Sequence, residues 1–313
     1  MKNKRALLLA AACLLVSAGI GVGLFSVYNQ RIAKTVSNTA PAETAETRTI
    51  IHNGDSYRPD ESVRSYLFLG VDDVGLSYED YGRGGRTDTL LLLVKKNDTI
   101  CILEISRDTM TEVDTYDPAG DYLSSGVMQI NMQYSYGDSP RRSAWLTKRT
   151  VSELLGGINI NGVAALDMSG IAPIVDTLGG ITVRMEKDCS YIDPEYTADA
   201  EIHMDGAAAE HFIRWRDTSV SGSNDTRMSR HTWFIRQMLT QANGESLTAL
   251  LNAADPYLHT DMTAEEISAL YECELAETIR LPGETRRGTL HDEFYVDEDA
   301  LQELLLKLFY RKY

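Results

Sequence analysis

Three short apolar runs stand near the start of the patterned part of the chain, at residues 66–71, 87–94 and 100–105. None alternates strictly between apolar and polar positions, which is the pattern of strands buried on both faces. Residues 95–99 are polar and include Asn97-Asp98, so the second and third runs are expected to form a hairpin. The spacing then becomes helical. Ser139 opens a helix that runs to Leu155 and stops at Gly156-Gly157. A strand at 160–166, a helix at 169–178 ended by Gly179-Gly180, and a strand at 181–185 follow. Asp205-Gly206 precedes a helix that ends in Arg214-Trp215-Arg216. A polar loop leads to a second helix at 225–242. A strand at 276–281 and an amphipathic helix at 297–308 close the chain, with Leu301, Leu304, Leu305 and Leu308 on one face. Alternating strands and helices predict an α/β layered domain. No internal repeat is visible.

The first 62 residues read differently. Residues 6–28 form an apolar run of roughly 23 residues, long enough to span a bilayer. Lys2, Lys4 and Arg5 precede it in a short tail at 1–5, and positive flanks stay cytoplasmic. A cleaved signal peptide is the plainer alternative, with Ser17-Ala18-Gly19 as its cleavage site. The apolar run continues past that point, which favours a retained anchor. Cys13 follows three alanines as in a lipoprotein, but the apolar stretch before it is very short. Residues 29–62 lack periodicity and read as a flexible extracytoplasmic tether with a reach of roughly 30 Å. The folded domain is expected at 63–313. The expectation is a single-pass cell-membrane protein with that domain outside the cytoplasm.

Charge narrows the choice of ligand. The 313 residues carry a net charge of -16. General nucleic-acid binding needs a basic face and is excluded. Any anionic ligand must therefore be held by a local arginine cluster. Of the four cysteines, none forms a metal-type CxxC pair. A Cys189–Cys273 disulfide is compatible with an oxidising location, but nothing in the sequence requires it.

Such a cluster can be assembled from the pattern. Open α/β sheets place their sites at the carboxyl ends of strands. Asp72 closes the first run, Arg86 and Asp88 open the second, and Arg107-Asp108 follows the third. With a two-residue Asn97-Asp98 turn, Asp88 lies opposite Arg107. With a three-residue loop, Asp88 lies opposite Ser106 and Arg86 opposite Asp108. Both registers bring the two pairs to one sheet edge. A single cross-strand Arg–Asp pair would be an ordinary salt bridge; two pairs beside Asp72 suggest more. Arg227 and Arg230 share a helix face and are expected in its first turn, where cations are locally unfavourable unless an anion is bound. An exposed basic face bridged to Asp217 or Asp225 is the simpler reading. Arginine forks with nearby carboxylates suit a pyrophosphate and its divalent metal. No serine sits in a GxSxG elbow, and Arg83-Gly84-Gly85-Arg86 lacks the ending of a Walker loop.

The chain resembles the LytR-CpsA-Psr family of membrane-anchored cell-wall ligases. The matching segments are Leu67-Phe68-Leu69-Gly70-Val71-Asp72, Arg86-Thr87-Asp88-Thr89-Leu90, Ile105-Ser106-Arg107-Asp108-Thr109, and Ile130-Asn131 with Tyr134 and Tyr136-Gly137. Further matches are Asp176-Thr177-Leu178-Gly179-Gly180-Ile181-Thr182-Val183, Arg214-Trp215-Arg216 and Arg227-Met228-Ser229-Arg230. The resemblance implies a three-layer α/β/α sandwich with a central mixed sheet and a lipid-binding groove. It also implies transfer of a glycopolymer phosphate from a polyprenyl-pyrophosphate carrier to a peptidoglycan sugar hydroxyl, with Mg2+. By motif, Asp72 and Asp88 would hold the metal. Arg86, Arg107, Arg214, Arg216, Arg227 and Arg230 would grip the pyrophosphate. Asp72 and Arg107 would be catalytic; Asp72 is the first candidate base and Asp108 a weaker one. Ile171, Ile174 and Val175 are either lipid-lining or ordinary core. The chain departs from the family in having Asn224 before the arginine helix, His231 where glutamine is usual, Ser106 for a common proline, and a long loop at 73–85. Two other functions fit the same residues: hydrolysis of a lipid pyrophosphate, and non-catalytic binding of polyprenyl phosphate that regulates wall assembly.

Overall fold

The computed structural model describes residues 49–72, 84–216, 223–241, 249–250, 252–289 and 291–313. The expected membrane span, the first part of the tether, the loop at 73–83 and the polar loop at 217–222 lie outside them. Among the described residues no helix is long and apolar enough to cross a membrane.

A six-stranded mixed sheet organises the molecule. Its strands are β3 (Val63–Asp72), β4 (Arg86–Lys96), β5 (Thr99–Ile105), β8 (Gly162–Asp167), β11 (Leu258–Thr260) and β12 (Glu274–Arg280). Their order is β11-β8-β3-β4-β5-β12. The two antiparallel pairs β3–β4 and β4–β5 sit at the centre, and β8 and β12 join β3 and β5 in parallel. The three apolar runs are thus central strands, and helices cover both faces.

One face carries Leu67, Leu69, Leu90, Leu92 and Leu103. It packs against α1 (Pro140–Leu154) and α6 (Glu298–Phe309) through Val151, Leu155, Leu301 and Leu308. The other face carries Tyr66, Leu91, Leu93 and Ile100 and meets Leu270 of α5 (Ala264–Tyr271) and Ile235 of α4 (Ser223–Gln241). Ser139 caps α1, accepting from Arg142 N, and Asp297 caps α6, accepting from Ala300 N; each satisfies a helix-end donor.

A second apolar cluster sits beside the sheet. It joins α2 (Ile171–Thr177), the ribbon β9 (Ile181–Arg184) with β10 (Glu201–Met204), α3 (Gly206–Arg214) and α4. Gly179 and Gly180, at φ +76° and +87°, end α2 where a side chain would be strained.

Two features differ from expectation, and a third decides what the sequence left open. The tether was expected to reach residue 62, but β1 (Ile50–His52) and β2 (Asp55–Pro59) are strands. They form a separate sheet with β15 (Tyr310–Lys312), in the order β1-β2-β15. The segment is too polar to show periodicity, and its pairing partner lies at the other end of the sequence. A hairpin, β6 (Met110–Tyr116) with β7 (Tyr122–Gln129), was also not legible, because β7 is mostly exposed and lacks an apolar face. Finally, Cys189 and Cys273 are buried free thiols, so no disulfide joins them. The remaining pair, β13 (Gly283–Arg287) and β14 (Asp292–Val296), forms a short antiparallel ribbon.

Candidate functional site

The β3–β4 register makes Asp72 the cross-strand partner of Arg86. The β4–β5 register pairs Leu90 with Ile105 and Lys96 with Thr99. Asn97-Asp98 is therefore a two-residue turn, with Asn97 at φ 52°, as tight hairpins require. Continued past the strand end, that register sets Asp88 opposite Arg107, the first of the two expected arrangements.

Asp88 is the hub. Arg107 Nη1 pairs with its Oδ1, and Arg227 Nη1 holds its Oδ2 at 2.8 Å. Asp88, Arg227 and Arg230 are all buried. Arg107 Nε lies 3.7 Å from Asp108 Oδ1. Gln129, at the end of the unforeseen hairpin, donates from Nε2 to that same oxygen at 2.8 Å and to the Asp292 carbonyl at 2.9 Å. Arg214, the last residue of α3, reaches Asp72 Oδ1 at 2.5 Å and Glu210 Oε1 at 2.8 Å. Arg230 donates to the Trp215 carbonyl, and its guanidinium carbon lies 5.5 and 5.8 Å from the ring centres of Phe212 and Trp215.

Arg227 and Arg230 are not placed by the N-terminus of their helix. α4 starts at Ser223, two residues earlier than expected, so Arg227 and Arg230 lie beyond the first turn. The helix dipole is not what holds them. Asp88 and the Trp215 carbonyl do.

Like charges crowd one another in the cluster. Burial, followed by the Arg227 charge, pushes Arg107 down to about 9; Arg216 and Arg86 act in the same direction. Burial, followed by Arg216, pushes Arg227 down to about 10. Burial also lowers Arg230. At Arg214 burial is overcome by Asp72 and Glu210, and its guanidinium is raised. The expected arginines other than Arg214 thus act on one another electrostatically, Arg86 and Arg216 from exposed positions. Arg107, Arg214 and Arg227 contact the carboxylates of Asp72, Asp88, Asp108 and Glu210. Among the described residues, six cations gather with these four anions, in a chain of net charge -16. A bound anion would relieve the repulsion among the arginines.

An apolar cleft adjoins the cluster. Its walls include Phe68 of β3, Ile171 and Ile174 of α2, and Phe234, Ile235 and Met238 of α4. Of the three residues that the sequence left between lipid lining and core, Ile171 and Ile174 line the cleft, and Val175 is fully buried in the neighbouring core. The cleft meets the arginines at His231. This ring is 2% exposed, with Nδ1 2.7 Å from Thr89 Oγ1 and Nε2 2.9 Å from the Ile213 carbonyl. The carbonyl accepts only, so Nε2 carries the proton and Nδ1 accepts from Thr89. Burial, opposed by the Ile213 carbonyl and reinforced by Arg227, pushes His231 down to about 3. It is neutral at pH 7. Gly70 also lines the cleft, and a Cβ there would meet Thr89 Cβ at 3.0 Å. The free space is about 60 Å³, below the ~150 Å³ that admits benzene in a protein core. A hydrocarbon chain would need α4 and α2 to part.

The fit of a divalent metal is uneven. Among the described residues no group of three metal-binding side chains converges, but magnesium commonly uses one or two carboxylates with water and substrate oxygens. Asp72 meets that requirement: its side chain is 23% exposed. Asp88 would bind a metal only by releasing Arg107 or Arg227. Thr89, Gln129 and Glu210 escaped sequence reasoning. For Glu210, its position four residues before Arg214 was an available signal.

Comparison with known proteins decides the lineage. The model of the LytR_cpsA_psr family matches residues 25–309. The chain belongs to the LytR-CpsA-Psr family. Among curated relatives, the polyisoprenyl-teichoic acid–peptidoglycan teichoic acid transferase TagU of Bacillus anthracis is 28% identical over 305 residues, covering 92% of each chain. Solved structures share the mixed α/β fold. A Streptococcus agalactiae protein aligns with a TM-score of 0.62 at 19% identity, over 79% of this chain and 86% of that one. TagV of Bacillus subtilis aligns with a TM-score of 0.59 at 22% identity, over 80% and 96%.

Proposed function

We propose that this member of the LytR-CpsA-Psr family is a phosphotransferase. It moves a glycopolymer phosphate from a polyprenyl-pyrophosphate carrier to a peptidoglycan hydroxyl. The observation that carries this reading is the shared helix α4. Its Arg227 and Arg230 belong to the cation cluster, while Phe234, Ile235 and Met238, one to two turns on, line the apolar cleft. That juxtaposition matches an amphipathic ligand with an anionic head and a hydrocarbon tail. The names of the curated relatives point the same way.

In this reading Arg227 and Arg230 bind the head from α4, while Arg86 and Arg107 meet it from the sheet edge and Arg214 and Arg216 from α3. Guanidinium forks match phosphate oxygens two at a time and stabilise charge on the leaving polyprenyl phosphate. Asp88 holds Arg107 and Arg227 at fixed separation. Asp72 is the candidate metal ligand and the first candidate for the base that takes the acceptor proton. Magnesium, when bound, supplies charge neutralisation at the pyrophosphate oxygens. Residues 6–28 serve as the membrane anchor, with the domain outside the cytoplasm.

The test is incubation of the purified full chain with a lipid-pyrophosphate glycan, magnesium and peptidoglycan, followed by mass analysis. Polymer joined to peptidoglycan supports the reading. Free polymer phosphate as the sole product makes the protein a hydrolase, and donor bound without turnover makes it a binding module.

A further inference from the structure

α4 has a second working face. On the side away from the apolar cleft it borders a groove of about 610 Å³, well within the range of ligand sites. Thr226, Ser229, Arg230, Trp233 and Arg236 of α4 form one wall. Thr278 and Arg280 of β12 also line it, and the 185–191 segment contributes Lys187, Asp188 and Tyr191.

The chemistry of this groove differs from that of the arginine cluster. Among the described residues its acids are Glu104, Glu186 and Asp188, and its bases are Lys187, Arg230, Arg236 and Arg280. Three charges against four leave it close to neutral. Arg280 is already engaged, with Nε 3.2 Å from Glu104 Oε2 and an Nη2 bond to Ser229 Oγ. A second pyrophosphate would find little free positive charge here. Aromatic faces are present instead: Trp233 lines the groove, and Tyr191 is 47% exposed and lies 4.7 Å, centre to centre, from Trp215. Flat rings offer apolar faces to the C–H side of a pyranose. Carboxylates and guanidinium groups serve its hydroxyl and acetamido groups. β12 is also the outermost strand of the sheet. Arg230, which belongs to the cation cluster, also lines this groove, so the two share a residue.

We propose that this groove binds the acceptor glycan strand and delivers one of its hydroxyls towards Arg230. The inference rests on the transferase reading and extends it: α4 separates a donor cleft from an acceptor groove. The hydroxyl oxygen would bond to phosphorus as the bond to the polyprenyl-phosphate oxygen breaks. The hydroxyl proton passes to a base, and polyprenyl phosphate leaves with its electron pair.

The experiment uses the full chain in detergent and a β-1,4-linked N-acetylhexosamine hexamer, with and without saturating polyprenyl pyrophosphate that carries no sugar. Two variants alter exposed positions of the groove: Arg236→Ala removes a polar contact and Thr278→Trp fills space. Circular dichroism checks that both fold. The expected result is saturable hexamer binding that persists with the lipid present and weakens at least about tenfold in both variants, with lipid-pyrophosphate affinity unchanged. No saturable binding by the wild type, or equal binding by the folded variants, overturns the proposal. Competition between hexamer and glycan-bearing donor, but not bare lipid pyrophosphate, also overturns it by assigning the groove to the donor's sugars. Loss of lipid-pyrophosphate binding in the wild type alongside intact groove binding would instead sink the transferase reading.

Discussion

Asp88 and Arg227 meet at 2.8 Å across the boundary between β4 and α4, while Arg107 takes the other Asp88 oxygen. One buried carboxylate therefore serves two buried guanidinium groups. Asp88→Asn removes the counter-charge and leaves both cations in a low-dielectric site. Breaking a buried pair in this way costs about 3–5 kcal/mol. Thermal unfolding should show a marked drop in Tm, partly restored by inorganic pyrophosphate. A Tm equal to wild type would show that the pair bears no structural weight.

Arg107 is expected to act more on rate than on folding. In Arg107→Ala, Asp88 keeps Arg227 as partner, so the fold persists. Turnover should fall by roughly 10² or more, measured as labelled polymer transferred to peptidoglycan. Normal turnover would remove Arg107 from the site.

His231 makes the fold acid-sensitive. Its folded value of about 3 lies below the ordinary 6.5, so the unfolded chain takes up the proton first. The stabilising contribution is complete above about pH 6.5 and declines as pH falls towards 3. The slope is about 1.4 kcal/mol per pH unit for one proton. His231→Gln retains a donor for the Ile213 carbonyl and has no proton to gain. Denaturant titrations across this window should give a shallower acid slope for the variant; parallel slopes would place the proton uptake elsewhere.

The apolar cleft offers a separation of head from tail. Ile171→Trp fills space next to Phe234 and Met238. It should raise KM for a long-chain donor by about tenfold, equivalent to about 1.4 kcal/mol. Affinity for inorganic pyrophosphate should stay within about twofold. Equal weakening of both ligands would mean that the substitution distorts the arginine cluster rather than blocking a tail.

The proposed metal dependence rests on Asp72. Exhaustive chelation should abolish transfer, and added magnesium should restore it in the wild type but poorly in Asp72→Asn. Full turnover after chelation would exclude the metal.

The parts of this molecule legible in sequence are those with strong local signals. β3, β4 and β5 announce themselves as unbroken apolar runs, α1 through Ser139 at its start, and α6 through Leu301, Leu304, Leu305 and Leu308 at helical spacing. Arg86, Arg107, Arg214 and Arg216 drew notice because they stand at strand ends and a helix end, Arg227 and Arg230 because they share a helix face. What resisted reading depended on partners distant in the chain. Whether Asp88 faced Ser106 or Arg107 turned on one residue of loop length. β1 and β2 carry no periodicity because they lie on the surface and are held by β15. The role of Gln129 depends on a hairpin whose outer strand faces water. His231 stood out as a departure from the family, but its tautomer follows only from Thr89 and the Ile213 carbonyl.

The small sheet β1-β2-β15 imposes an order on assembly. β2 takes up β15 antiparallel along one edge, with Tyr57 opposite Lys312 and Pro59 opposite Tyr310. During synthesis the early hairpin must wait, one edge bare, until the distant strand emerges. A polypeptide cut short before Tyr310 would keep that edge open and offer it to a neighbouring molecule.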